Sequence, residues 1–259
     1  MARPRWRLLV SPPAGGAENM ALDEALMERA RTVDEWVLRV YSWSSPTISL
    51  GRNQTARGRY DLDRIAALGA GIVRRPTGGR AILHDREITY SVTAPAANAG
   101  DLRESYERIN RLLLAGLDAL GVHAMAADAP ARSMAPGMAP CFDQPALGEL
   151  TVGGRKLAGS AQWRSEGALL QHGSILVEDD QSLLIGLARD ERPSIPRPAT
   201  LAESLGRRPT VDEMAGALAA AVRSIEDPDA VPLEVDDSVR ARASALVVRY
   251  LDDAWTWRL

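Results

Sequence analysis

The run "GELTVGGRKLAGSAQWRSEGALLQHGSILVE", residues 148–178, constrains the fold more than any other stretch of the chain. Apolar and polar residues alternate along it, and it is broken at "VGGR" and "SEGA" by the glycine-containing pairs that tight hairpins favour. It therefore predicts a succession of antiparallel strands. The rest of the chain mixes the two periods. "WRLLV", "EWVLRVYSW", "TISLG", "GIVRR", "RAILH" and "ITYSVTA" read as strands. "ENMALDEALMERA" predicts an amphipathic helix with Met20, Leu22, Ala25 and Leu26 near one face, and "YDLDRIAALGAG" a helix closed by glycine. "DLRESYERINRLLLAGLDALG" opens with Asp101 and Glu104 spaced as a capping box and stops at Gly121. "TVDEMAGALAAAVRSI" repeats the device with Thr210 and Glu213, and "DSVRARASALVVRYL" gives a last helix. With no repeat and only a short Pro-rich stretch near 190–204, these elements predict one α/β domain on a mixed sheet.

Charge and composition narrow the partners. A net charge of −3 argues against a general affinity for nucleic acid, which needs a clustered excess of Lys and Arg. No apolar run approaches the roughly 18 residues of a membrane span, so no membrane partner is expected. One cysteine excludes an internal disulfide and suits a reducing, cytoplasmic setting.

The positive charges are unevenly chosen. Thirty are arginine and one is lysine, Lys156. A guanidinium keeps its proton near neutral pH, whereas a desolvated ammonium can give one up. Lys156 is thus a candidate for proton chemistry or for a compact charge pair, with a remnant of Arg-biased composition as the plain account. Cys141 and Phe142 are also the only residues of their kinds, and all three fall in "CFDQPALGELTVGGRK". Cys141 sits in a Pro-, Gly- and Met-rich stretch without periodicity, which reads as a loop. Both a small buried hydrophobe and a nucleophile fit it.

"RRPTGGRAILHDREITYSV" is the other dense segment. Pro76 and Thr77 precede Gly78 and Gly79, and Arg74, Arg75 and Arg80 bracket them, so a ligand could lie flat on bare backbone. A plain hairpin turn between two strands is the alternative. The segment is neither a P-loop nor a G-x-G-x-x-G site, and nothing here supports nucleotide binding directly. His84 and Asp85 are neighbours on a strand and point to opposite faces, so they do not serve one centre together. Asp85 and His172 are expected to be structural, and three scattered histidines give no zinc spacing.

"NMALDEAL", "SLGRNQ", "RRPTGGRAILHDREITYSV", "CFDQPALGELTVGGRKLAGSAQWR" and "LLQHGSILVE" together resemble the biotin and lipoate protein ligase superfamily, most closely octanoyltransferases of the LipM type. The resemblance runs through the first 180 or so residues; the last third adds little to it. It implies that residues 1–259 form one α/β catalytic domain on a mixed sheet, related to the core of biotin protein ligases. It also implies transfer of an octanoyl group from octanoyl-acyl carrier protein to a lysine of a lipoyl-accepting domain, such as the glycine cleavage H protein. Cys141 would be the acyl-carrying nucleophile and Lys156 its charged or proton-transferring partner. Gly78, Gly79, His84, Gly159 and Ser160 would line the substrate site. Arg74, Arg75 and Arg80 would meet an acidic partner or a phosphate, with plain surface exposure an equal account. The thioester donor is already activated, so no cofactor is implied. Lipoate ligases carry a third glycine where Arg80 stands, which tilts against ATP-dependent adenylation. That ligase, a lipoyl-domain amidotransferase, and a non-catalytic acyl-binding subunit are the alternatives.

Overall fold

A computed structural model describes residues 3–127, 148–189 and 196–259. Strand β1 (Arg5–Val10) leads through helix α1 (Gly16–Arg29) to β2 (Glu35–Tyr41), which lies parallel to it. A second unit of this kind follows, in which β3 (Thr47–Leu50), α2 (Leu62–Ala67) and β4 (Gly71–Arg74) again pair two strands in parallel. Strands β5 (Ile82–His84) and β6 (Glu87–Pro95) then precede α3 (Leu102–Ala119) and β7 (Met125–Ala126). The alternating run forms β8 (Leu150–Val152), β9 (Arg155–Ser165) and β10 (Ala168–Leu176). The remainder is α4 (Gln181–Gly186), α5 (Leu201–Leu205), α6 (Val211–Ile225), β11 (Val231–Pro232), α7 (Asp237–Leu251) and α8 (Asp253–Thr256).

The main sheet has the order β11-β1-β2-β6-β10-β9-β8-β7, parallel at the β1 end and antiparallel from β2 onward. The expected mixed α/β fold is the one found. At "VGGR" and "SEGA" the turns place Gly153, Gly154, Glu166 and Gly167 at φ of +57°, +74°, +50° and +81°, which is the two-residue left-handed geometry that matches strand twist.

Strand β2 shows how the layers form. All seven of its residues are buried. Trp36, Leu38 and Val40 join the core beneath α3 and α6, while Val37 and Tyr41 join the core beneath α1 and α7. Helix α1 is therefore packed on both sides, by the sheet and by α7. The simple amphipathic expectation for it fails for that reason: Met20, Ala25 and Leu26 are buried, but so are Asn19, Asp23 and Glu24, and Leu22 is only half-buried. Both capping boxes form as expected, at Asp101 with Glu104 and at Thr210 with Glu213.

A second sheet has the order β4-β3-β5, with α2 and α4 over Ile48, Leu50, Ile65, Leu83 and Leu184. This order corrects the hairpin alternative for Gly78 and Gly79. Strands β4 and β5 flank β3 and do not pair with each other, so residues 75–81 cross the end of β3. Among the described residues no helix is long and apolar enough to cross a membrane.

Candidate functional site

A cavity of about 210 Å³ lies between the two sheets, with largely apolar walls. Gly159, Ser160, His172 and Gly173 line it from the main sheet, Ser49 and His84 from the small one, and Gly79 and Arg80 from the crossing turn. The sequence-expected residues Arg75, Gly79, Arg80, His84, Gly159 and Ser160 thus converge on one place, while Arg74, Gly78 and Lys156 are not on its surface. Cys141 lies outside the described residues.

The turn sits where it does because of close backbone packing. A Cβ on Gly51, in "SLGRNQ", would fall 1.9 Å from the Gly79 carbonyl oxygen, so only glycine lets the two loops touch. Gly79 itself adopts a φ of +94°, a conformation costly for side chains with a Cβ. Arg75 clamps the turn from inside. Its Nη2 donates to the Gly78 and Arg80 carbonyls at 2.7 and 2.8 Å, and its Nη1 to the Ser49 carbonyl and hydroxyl at 2.9 and 3.0 Å.

Arg74 departs furthest from expectation. It is fully buried, and its guanidinium donates to the carbonyls of Gly51, Arg52, Gln54 and Thr256. Burial, with the charges of Arg258 and Arg75 nearby, pushes it down to about 10. Neither a role in meeting an external anion nor plain surface exposure describes Arg74, and Arg75 is just as buried. Both fasten backbone. Gly78 likewise turns its carbonyl inward to Arg75. Arg80 is half-buried on the cavity wall.

Two histidines reach the cavity through different networks. His84 stacks on Trp43 with ring centroids 4.1 Å apart, and its Nε2 lies 2.7 Å from the Ser49 hydroxyl that also accepts from Arg75. Its Nδ1 lies 3.4 Å from a Glu87 oxygen. Asp85 is exposed, but it lies in the bend that follows β5 and not on the strand with His84.

His172 is more than a satisfied core histidine, because it lines the cavity. Its Nδ1 lies 3.2 Å from Asp23 and its Nε2 2.6 Å from the Thr77 hydroxyl, so it links helix α1 to the glycine turn. Burial lowers its proton affinity and favours the neutral ring, outweighing the opposing pull of Asp23. Asp23 collects Arg39, Tyr41 and Ser91 as further donors at 2.7–2.9 Å. Burial alone would raise the Asp23 carboxyl; Arg39 and His172 outweigh it and hold the group below the usual carboxylate range.

Lys156 meets one of its two sequence-based expectations directly. Its Nζ donates to Glu149 at 2.6 Å, and both residues are buried. Glu149 lines the cavity, so the lysine stands one hydrogen bond behind the wall. On the far side, the Ser160 hydroxyl contacts the Tyr90 hydroxyl at 2.7 Å, and burial pushes that phenol up to about 12.

Sequence reasoning missed Glu149, Trp43, Ser49 and the Asp23 cluster. One signal for the last was present: Arg39 interrupts the apolar "WVLRVY", and a charge inside a fully buried strand demands a buried partner. Glu149 carried no comparable mark. Among the described residues no cluster suits a metal ion.

Residues 16–223 match a family model described as the lipoyl protein ligase A/B catalytic domain. Proteins named octanoyltransferase LipM from Symbiobacterium thermophilum and Kyrpidia tusciae are 41% and 37% identical over 270 residues, each comparison covering 98% of both chains. Among solved structures, a bi-partite lipoate protein ligase from Thermoplasma acidophilum superposes with a TM-score of 0.78, at 22% identity over 98% of this chain and 96% of its own. Lipoate-protein ligase A bound with ATP gives 0.76 at 22% identity, over 99% of each chain, and at that identity the likeness is one of fold. With most of its length inside the family model and relatives of this identity along nearly all of it, the chain belongs to the lipoyl protein ligase A/B catalytic domain family.

Proposed function

We propose that the protein is an octanoyltransferase, residues 1–259 acting as one catalytic domain, that moves an octanoyl group from octanoyl-acyl carrier protein to a lysine of a lipoyl-accepting domain. The glycine cleavage H protein is the acceptor with which the proposal begins. The observation that carries it is one juxtaposition: the chain's single lysine is held in a buried ion pair at the wall of a narrow, largely apolar cavity. Such a cavity suits an unbranched acyl chain, and the Glu149–Lys156 pair puts groups able to hold or move a proton beside it. The relatives named octanoyltransferase, similar along nearly their full length, support the same conclusion.

In this scheme the Cys141 thiolate attacks the octanoyl carbonyl, the carbon–sulfur bond to the carrier breaks, and the carrier leaves as a thiolate that takes its proton from water, which gives an octanoyl thioester on the enzyme. The acceptor amine then displaces Cys141. A cytoplasmic setting keeps the thiol reduced. Gly79, Gly159 and Ser160 bound the acyl chain, and Arg80 is the cavity arginine placed to meet an anionic group of the donor.

The test is intact-protein mass after mixing with octanoyl-acyl carrier protein in the absence of ATP. An octanoyl adduct on wild type and none on Cys141→Ser is the expected result. No adduct on either, with the carrier protein shown to be active in another assay, refutes the thiolate route and directs attention to ligation with lipoate and ATP.

A further inference from the structure

Gly173 on β10 stands opposite Ser160 on β9, and a Cβ there would fall 2.7 Å from both the Ser160 hydroxyl oxygen and the Tyr90 ring. Glycine at that place lets the Ser160 and Tyr90 hydroxyls meet. They end a chain of hydrogen bonds beneath α3, whose Ser105 also bonds Gln162. Arg164 Nε donates to Gln162 Oε1 at 3.2 Å, Gln162 Nε2 to Gln171 Oε1 at 3.1 Å, and Gln171 Nε2 to the Tyr90 hydroxyl at 2.9 Å. The Tyr90 and Ser160 oxygens are 2.7 Å apart.

The direction of every proton in this chain follows from its first member. A guanidinium has donors and no acceptor, so Gln162 turns its oxygen to Arg164 and its amide nitrogen to Gln171. Gln171 then presents its oxygen to Gln162 and its nitrogen to Tyr90. Burial pushes the Tyr90 phenol up to about 12, so it keeps its one proton at neutral pH. Tyr90 is wholly buried, and with Gln171 donating to it, its proton has only the Ser160 oxygen to bond among the described residues. Leaving a buried donor unbonded is costly, so Ser160 accepts. Its own proton has no acceptor among the described residues.

Ser160 also stands where two hollows meet. It lines the narrow cavity, and with Ala161 it lines a wider cleft of about 1050 Å³ between α3 and β9, beside Tyr106 and Asn110. With an acyl chain in the narrow cavity and the bulkier remainder of donor or acceptor in the cleft, the carbonyl between them lies at Ser160.

We infer that Ser160 is a catalytic hydrogen-bond donor to the acyl carbonyl oxygen, and that Tyr90 is a positioning residue which, with Gln171, Gln162 and Arg164 behind it, aims the Ser160 proton at that oxygen. This rests on the octanoyltransferase proposal above. When sulfur or the acceptor nitrogen adds to the carbonyl carbon, negative charge gathers on the oxygen and the Ser160 O–H holds it there. The charge returns to the carbonyl as the carbon–sulfur bond breaks, and Ser160 keeps its proton throughout. Donors linked in a chain polarise one another, which strengthens the last of them.

The experiment follows single-turnover transfer from octanoyl-loaded enzyme to a purified lipoyl domain for wild type, Ser160→Ala, Tyr90→Phe and the double variant, with thermal melting as a check on folding. An isotope label at the octanoyl carbonyl of the loaded enzyme adds an infrared band whose frequency falls when the carbonyl accepts a hydrogen bond. Ser160→Ala is expected to slow transfer on the order of 100-fold, the scale of removing one donor to a developing oxyanion, with the acceptor KM within about two-fold of wild type. Its carbonyl band should lie at higher frequency than that of wild type. Tyr90→Phe should slow the wild type by a smaller factor and leave Ser160→Ala unchanged, because Tyr90 acts only through that hydroxyl. Transfer by Ser160→Ala within about two-fold of wild type overturns the proposal, and so does a carbonyl band at the wild-type frequency. Tyr90→Phe that slows both backgrounds equally is a structural change and overturns the directed chain. Should Tyr90→Phe not fold, the rate and band of Ser160→Ala decide. Wild type that never acquires octanoate refutes the underlying function instead, so the two failures are distinguishable.

Discussion

At Gly51 a single methyl group separates a formed site from a displaced one. The added carbon would meet the Gly79 carbonyl at 1.9 Å, and that neighbour is backbone, unable to swing aside. Gly51→Ala should therefore push the cavity-lining turn outward and lower kcat/KM about ten-fold or more, the scale on which small misplacements act. A kcat/KM within two-fold of wild type would show that the turn tolerates the shift. Asp23 and His172 make a second prediction at this scale. Both groups bind protons less readily folded than unfolded, so each contributes stability above its unfolded pKa that is lost on acidification. The loss begins near pH 6.5 with His172 and continues below about pH 4 with Asp23. Buried Asp180, whose carboxyl burial raises, acts in the opposite sense. Urea unfolding at successive pH values should show a slope between about pH 7 and 5 that flattens in His172→Gln. Equal slopes in the two proteins would remove His172 as its source.

Helix α6 offers paired predictions of opposite sign. Thr210 caps its first turn by accepting from the Glu213 amide at 3.1 Å, and Thr210→Ala should cost about 1 kcal/mol, lowering the melting temperature by roughly 2–4 °C. Gly216 lies exposed within the same helix, and a Cβ there meets nothing within 4 Å, so Gly216→Ala should stabilise by up to about 1 kcal/mol. Neither change should alter kcat, because α6 does not touch the cavity. Calorimetry with a parallel activity assay checks both, and equal melting temperatures would mean that other contacts set the limits of α6. These elements were legible in the sequence because caps and turns are local: the spacing Asp101–Glu104 or Thr210–Glu213 states its own geometry. The double-sided burial of α1 was not, because it depends on α7, more than two hundred residues away in the chain. The same limit applies to the site. "RRPTGG" and "KLAGS" announced polar chemistry beside bare backbone, yet which arginine faces a ligand depends on loops that close over Arg74 and Arg75 from elsewhere.

Those loops are closed by residues 255–259, beyond the stretch that the family model matches. The Leu259 carbonyl accepts from the amides of Ala56 and Arg57 at 3.0 Å each, Trp255 Nε1 donates to the Arg74 carbonyl at 2.8 Å, and Arg74 Nε donates to the Thr256 carbonyl at 2.8 Å. Arg52, Arg249 and Arg258 stack around the Trp255 ring, their guanidinium carbons 4.2–5.8 Å from its centre. The segment that sequence reasoning credited least thus holds "SLGRNQ" against "RRPTGG" and seats the buried Arg74 charge. Deleting residues 253–259 removes these partners together. Hydrogen bonds to a buried charged group contribute roughly 1.5–3 kcal/mol each, and an unsatisfied guanidinium adds a penalty of its own. The truncated protein should melt well below wild type and lose most of its octanoyl uptake, while Trp255→Phe, which keeps the ring and drops the one hydrogen bond, should lose little of either. Intact mass after a timed exposure to octanoyl-acyl carrier protein reads the uptake. A truncated protein that melts lower yet loads octanoate at the wild-type rate would confine the tail to stability and leave the turn to be held by Gly51 and Arg75 alone.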